Sequence, residues 1–254
     1  VIDLGIPIDW RLLVAFLTLL IAGIAKAITG MGVPIAGVPI LVALYGDLRL
    51  VLLMTILSTA VSDVPMLWRY RRQYREAAPL AGFLICSIAG IFIGTKILTL
   101  VNPAILCGLL AIIVVIFIPI SWFGKVPTVS PVLASRIGPF LGLLCGVVQG
   151  TAGASGPIVT SFLISIKLSR ESFLFAIIAM FSVLDWTQLV SLQLLHLTTT
   201  GIFIISVAFL AIVFAGMAIG FAIQKRINDL VFRRGVLVML AIAALGLIIR
   251  ASRG

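Results

Sequence analysis

Lys26 stands deep in an apolar run, four residues before a glycine break that reads TGMGVPI from Thr29 to Ile35. An ionised side chain at that depth is costly and is usually functional. A second break, TAGASGPI from Thr151 to Ile158, lies behind Gln149 in the same way. Each break joins a long apolar run to a short one that opens with proline, Pro34 or Pro157. Proline lacks an N–H and suits the first turn of a helix. The start of a helix carries unpaired N–H groups and about half a positive charge. Two such starts meeting in a cavity make an anion site built from backbone. The expected binding groups are the backbone at Gly30, Gly32, Val33, Pro34 and Ile35, and at Gly153, Gly156, Pro157 and Ile158. Lys26 would add charge, and Thr29, Gln149, Thr151 and Ser155 would add hydrogen bonds. For the three hydroxyls, capping of the local backbone is an equal alternative.

Two acids lie in other apolar runs: Asp63, followed by Pro65, and Asp185, beside Trp186 and Gln188. They are candidates for coupling to a proton or a cation. For Asp63, a local cap at a proline kink is the plainer alternative. Gly153-Ala154-Ser155-Gly156 resembles the G-x-S-G of rhomboid proteases, and His196 follows it. A Ser–His dyad needs hydrogen-bond reach. His196 is expected at the outer end of its helix and Ser155 at a buried tip, so proteolysis is not the expected activity. The cysteines Cys86, Cys107 and Cys145 lie singly in apolar runs. They give neither a disulfide framework nor metal spacing, and no metal or cofactor is expected.

The elements that must position these residues are membrane helices. The chain has 254 residues, 62% hydrophobic and 10% charged, with a net charge of +10. Its mean hydropathy is +1.32. Continuous apolar runs of this kind read as an all-α polytopic membrane protein. Ten segments can be marked: 10–30, 34–45, 50–68, 78–98, 103–122, 136–153, 157–167, 172–195, 200–223 and 235–251. The second and seventh rise only about 16 to 18 Å as helices, little more than half of a hydrocarbon core of about 30 Å. Each is read as the return arm of a broken-helix hairpin whose tip stays inside the protein, where exposed backbone can be satisfied.

The halves repeat. Gly23 and Lys26 align with Gly146 and Gln149 at an offset of 146 − 23 = 123, as do Gly30 with Gly153 and Pro34 with Pro157. Gly90 and Gly94 align with Gly216 and Gly220, and Asn102 with Asn228, at an offset of 216 − 90 = 126. Basic residues alternate between the copies. Arg69, Arg71, Arg72 and Arg75 fill one loop of the first half. Lys225, Arg226, Arg233 and Arg234 fill a different loop of the second, and Lys167 and Arg170 sit where the first half has Gly46, Asp47 and Arg49. Cytoplasmic loops collect Lys and Arg, so this alternation predicts two inverted repeats. The expected division is a first repeat over 1–123, a cytoplasmic linker over 124–135 and an inverted second repeat over 136–254, with both termini outside. The charge sits in short loops between apolar runs, which argues against nucleic acid as a partner. No cleavable signal peptide is expected.

The two breaks resemble the TauE/SafE sulfite-exporter family, also called the toluene-sulfonate uptake permeases. Its halves each carry G-x-G-G-G-x-x-x-x-P-x-L. Gly30, Gly32, Pro39 and Leu41 match in the first half, where Val33 and Pro34 replace two glycines. Gly153 and Gly156 match in the second, where Ser155, Pro157 and Phe162 depart. The resemblance implies a secondary transporter in a bacterial inner membrane for sulfite, sulfoacetate, other sulfonates or related anions, with export the expected direction. An anion channel of the same architecture is the alternative. The expected partners are the small anion, the lipid bilayer, a coupling proton or cation, and a second copy of the chain as a homodimer.

Overall fold

The computed structural model describes residues 9–123, 129–166 and 168–224. The described residues are helical almost throughout: α1 (Trp10–Thr29), α2 (Val38–Tyr45), α3 (Leu48–Tyr70), α4 (Ala81–Leu100), α5 (Pro103–Phe123), α6 (Pro131–Ala152), α7 (Gly156–Ser165), α8 (Arg170–Leu194) and α9 (Thr200–Ile223). Six of them are long and apolar enough to cross a membrane: α1, α3, α4, α6, α8 and α9. The protein is an all-α polytopic membrane protein. Large apolar side chains such as Leu13, Leu17, Ile85, Phe92, Ile112 and Phe203 face outward, as a lipid-exposed surface requires. The expected segment 235–251 and the basic residues Lys167, Lys225, Arg226, Arg233 and Arg234 lie outside the described residues.

Three expected boundaries move. α6 begins at Pro131, five residues before the expected 136, because Ser130 caps it by accepting from the Leu133 N–H. The Arg-rich connection after α3 is a 3-10 helix over Arg71–Leu80. The first short arm opens one residue before Pro34 with a π-helical turn, Val33–Gly37, and becomes α-helical at Val38. Pro39 accounts for that widening. In an α-helix its ring would press on the Ile35 carbonyl, and it has no N–H to offer. A wider turn relieves both problems. At the matching place in the second half stands Phe162, and α7 is α-helical from Gly156 onward.

The long helices pack in pairs across the two halves. α1 lies on α9, and α4 lies on α6. In the first pair Phe16 meets Phe209, Gly23 meets Gly216 and Ala27 meets Gly220, so the helices run parallel. In the second pair Phe83 meets Gly142, Gly90 meets Gly146 and Gly94 meets Gly150, again in parallel. The glycines that relate the halves in sequence therefore meet crosswise in space, Gly23 on Gly216 and Gly146 on Gly90. A Cβ at Gly146 would collide with the Ser87 carbonyl, and one at Gly216 with the Leu20 carbonyl. Small residues at these seams let the backbones touch, which is how helices associate in lipid.

α3 and α8 fill the centre and are the most buried of the six long helices. Gln73, just past the end of α3, donates to the Glu171 carboxylate in the first turn of α8 at 2.7 Å. The end of α3 thus lies beside the start of α8, and the two helices run antiparallel. On the same side, the Val129 N–H donates to the Ser165 carbonyl at 3.1 Å, which puts the entry to α6 beside the end of α7.

Candidate functional site

Both breaks use the same device. α1 ends at Gly30 with φ 84°, and the Gly30 N–H donates to the Lys26 carbonyl at 2.9 Å. α6 ends at Gly153 with φ 63°, and its N–H donates to the Gln149 carbonyl at 2.8 Å. A left-handed residue at a helix end favours glycine. Two residues on, Gly32 turns the chain so tightly that a Cβ there would collide with the Ala22 carbonyl. The return arms then start at Val33 and Gly156, with Pro34 and Pro157 in their first turns.

The two tips touch. A Cβ on Gly156 would lie 2.9 Å from Ile35 Cγ1, and the Thr160 hydroxyl lies 3.3 Å from Met31 Sδ. Between them is a small, shallow cleft whose wall includes Pro34, Ile35, Ala154, Gly156 and Pro157, together with Pro39 and α5. The structure thus brings the two prolines to one cleft, and the cleft wall is apolar.

Behind the tips lies a buried polar cluster. Lys26 is 2% exposed, and its ammonium is held by two hydrogen bonds and an ion pair. It donates to the Thr59 carbonyl and to Ser62 Oγ, each at 2.8 Å. It forms an ion pair with Asp63 Oδ1 at 2.7 Å. Asp63, fully buried on α3, is therefore the counter-ion of Lys26 and not a local helix cap. In the second half Gln149 takes the place of the lysine. Its Nε2 is 3.0 Å from both Asp185 Oδ1 and Gln188 Oε1. Its Oε1 accepts from Ser155 Oγ at 2.7 Å and from the Ser155 N–H at 3.4 Å. Gln188 donates back to the Gln149 carbonyl at 3.1 Å. Asp185 lies within electrostatic reach of Asp63 and Lys26, so the two sets form one cluster across the α3–α8 contact.

Several expected residues meet here: Lys26, Gln149, Ser155, Asp63 and Asp185. Thr29 and Thr151 do not join them. The Thr29 hydroxyl donates to the Ala25 carbonyl at 2.9 Å, and that of Thr151 lies 2.7 Å from the Val147 carbonyl and 3.2 Å from the Gly94 carbonyl on α4, so both are spent on backbone. Thr59, Ser62 and Gln188 belong to the cluster and were not among the expected site residues. The second offset carried their signal: 185 − 59 = 126 and 188 − 62 = 126, the same spacing that relates Gly90 to Gly216. Ser155 is fully buried and bonded to Gln149, while exposed His196 lies beyond the end of α8. Gln188, a neighbour of that site, is already about 12 Å along the helix from His196, so Ser155 and His196 form no dyad.

The family model described as sulfite exporter TauE/SafE matches residues 15–247, which includes both hairpins and all the cluster residues. No curated protein and no solved structure matches the chain. A match over nearly the whole length, on a helical membrane fold with two facing helix breaks, places the chain in the sulfite exporter TauE/SafE family of membrane transporters.

Proposed function

We propose that the protein is a secondary transporter that exports small sulfur-containing anions, sulfite or sulfonates such as sulfoacetate, by alternating access around the cleft between the hairpin tips. The observation that carries this reading is the meeting of two short-helix starts, at Val33 and Gly156, in the wall of one cleft. The Ala36 and Ile158 N–H groups donate to the Gly32 and Ser155 carbonyls, so the helix dipoles and the N–H groups at the very starts, Val33 and Gly156, are what favour anionic oxygens. The apolar wall keeps water away and strengthens that attraction. The antiparallel course of α3 and α8 supports inverted halves, a plan in which one half can rock against the other about a central site. Lys26 bears on the anion through its exchange of partners. In the conformation described it is committed to Asp63, and an arriving anion would compete for the same ammonium.

The burial of the cluster favours a carrier over a channel. Lys26, Asp63, Gln149, Ser155 and Asp185 are each at most 2% exposed, which fits an occluded state and not a continuous pore. The test is a thermal-shift screen of the purified protein against sulfite, sulfoacetate, taurine, thiosulfate and matched carboxylates. A ligand that binds the folded form raises its apparent stability. Stabilisation by the sulfur oxyanions supports the reading. A response confined to cations or zwitterions refutes it.

A further inference from the structure

The buried cluster holds one lysine and two aspartates. With all three ionised its formal charge is 1 − 2 = −1, in a place where each group is at most 2% exposed. The two acids are not equivalent. Asp63 has the Lys26 ammonium at 2.7 Å. Asp185 has only a neutral amide, Gln149 Nε2, at 3.0 Å from Oδ1. Asp185 Oδ2 and both Asp63 oxygens are buried without a hydrogen-bond partner, so what separates the two acids is the ammonium beside Asp63. A buried carboxylate without a counter-ion costs far more than a neutral acid does.

Among the described residues, neighbouring elements supply no second cation to Asp185. From α1 it faces Lys26, which is already paired, and from α3 it faces Asp63 and Thr59. α6 presents Gln149, with the Cys145 thiol nearby, while its Arg136 is exposed. α8 presents Gln188. α4 carries Cys86, half-buried, and Lys96, exposed. α7 and α9 contain no ionisable residue. The Arg-rich 3-10 segment meets α8 at Glu171, in its first turn, about 21 Å along the helix from Asp185.

We propose that Asp185 is the proton site of this transporter, and that an anion in the cleft and a proton on Asp185 bind together. The inference rests on the anion reading above. The link is short: Asp185 Oδ1 bonds Gln149, Gln149 bonds Ser155, and the chain neighbours of buried Ser155, Ala154 and Gly156, line the cleft. An anion in the cleft adds negative potential to a cluster that already has an excess carboxylate. It therefore tightens the hold of Asp185 on its proton, and by reciprocity the proton tightens the hold on the anion. The sign follows. Anion affinity is highest where Asp185 is protonated and falls as pH rises through its titration, by up to about tenfold per pH unit.

Calorimetry with sulfoacetate tests this, because that ion has no group titrating between about pH 6 and about pH 8. Titrations in buffers of different ionisation heat count the protons taken up per anion bound. The expected result for the intact protein is uptake approaching one proton, with affinity falling as pH rises. Asp185→Asn, which keeps the shape and the Gln149 contact, is expected to bind sulfoacetate with no uptake and no pH dependence. It should also lose a protonated-carboxyl band from the infrared spectrum of the folded protein. Binding without proton uptake in the intact protein, uptake that survives in Asp185→Asn, or affinity set by sodium concentration in place of pH would each overturn the inference. Failure of the anion reading shows itself differently: no anion of the screen stabilises the protein, and both proposals then fall together.

Discussion

The Lys26–Asp63 pair offers a sharp test of how the cluster is held. Replace Lys26 by Met, which keeps the length of the stem and removes the charge. Asp63, fully buried, then loses its counter-ion at 2.7 Å. Breaking a buried ion pair by removing one partner costs about 3–5 kcal/mol. Adding Asp63→Asn to the same chain removes the stranded charge. What remains lost are the two Lys26 hydrogen bonds to Thr59 and Ser62, worth about 1 kcal/mol each. The double variant should therefore be more stable than Lys26→Met alone, with an interaction energy of roughly 2–4 kcal/mol across the cycle. In a chain of this size about 2–4 °C of melting temperature corresponds to 1 kcal/mol. Lys26→Met is then expected to lower the melting temperature of the detergent-solubilised protein by roughly 6–20 °C, and the double variant to recover about half of that loss. Additive effects, or a Lys26→Met protein that melts with the parent, would refute the pairing as the source of the cluster's rigidity.

Other expectations follow from the seams and the tips. Gly146→Val places a side chain against the Ser87 carbonyl on α4 and is expected to abolish recovery of folded protein. Gly138→Ala, whose new Cβ meets Phe162 and Phe83 at ordinary contact distances of 3.8 and 3.9 Å, is expected to leave yield and melting unchanged in size-exclusion and thermal assays. Ser155→Ala removes the 2.7 Å bond to Gln149 and should destabilise the protein by about 1 kcal/mol, since Gln149 Oε1 keeps only the longer bond from the backbone N–H. Neither it nor the parent should be labelled by an activity-based serine probe, and labelling of the parent alone would restore the protease reading.

Much of this fold was legible because lipid is a demanding solvent. Apolar runs had to be helices, and the edges fell within a few residues of their true places where caps were plain, as at Gly30 and Gly153. The short arms and their proline starts were also legible, since a glycine break at membrane depth has few uses. The π turn was not read, although its cause, Pro39, was in view as a family motif residue. The strain arises only when Pro34 has already begun a helix that Pro39 must join. The Lys26–Asp63 contact was hidden for another reason. It depends on the rotation of α3 against α1, which no periodicity within either segment fixes. Gln149 was legible as the counterpart of Lys26. Its link to Asp185 and Gln188 required a change of offset from 123 to 126, the kind of slip that a loop of different length introduces between two copies.

The crosswise seams bear on how the chain is made. Gly23 waits for Gly216, and 216 − 23 = 193 residues must be synthesised before the first helix can close against its partner. Until then that helix exposes a backbone groove to lipid. Its lysine need not wait as long, because Asp63 arrives with α3, only 63 − 26 = 37 residues later. The order of emergence from the ribosome thus neutralises the costliest charge early and leaves the cheap, apolar seam open until last. A truncated chain ending after α5 should insert with its ion pair formed and its glycine groove still vacant.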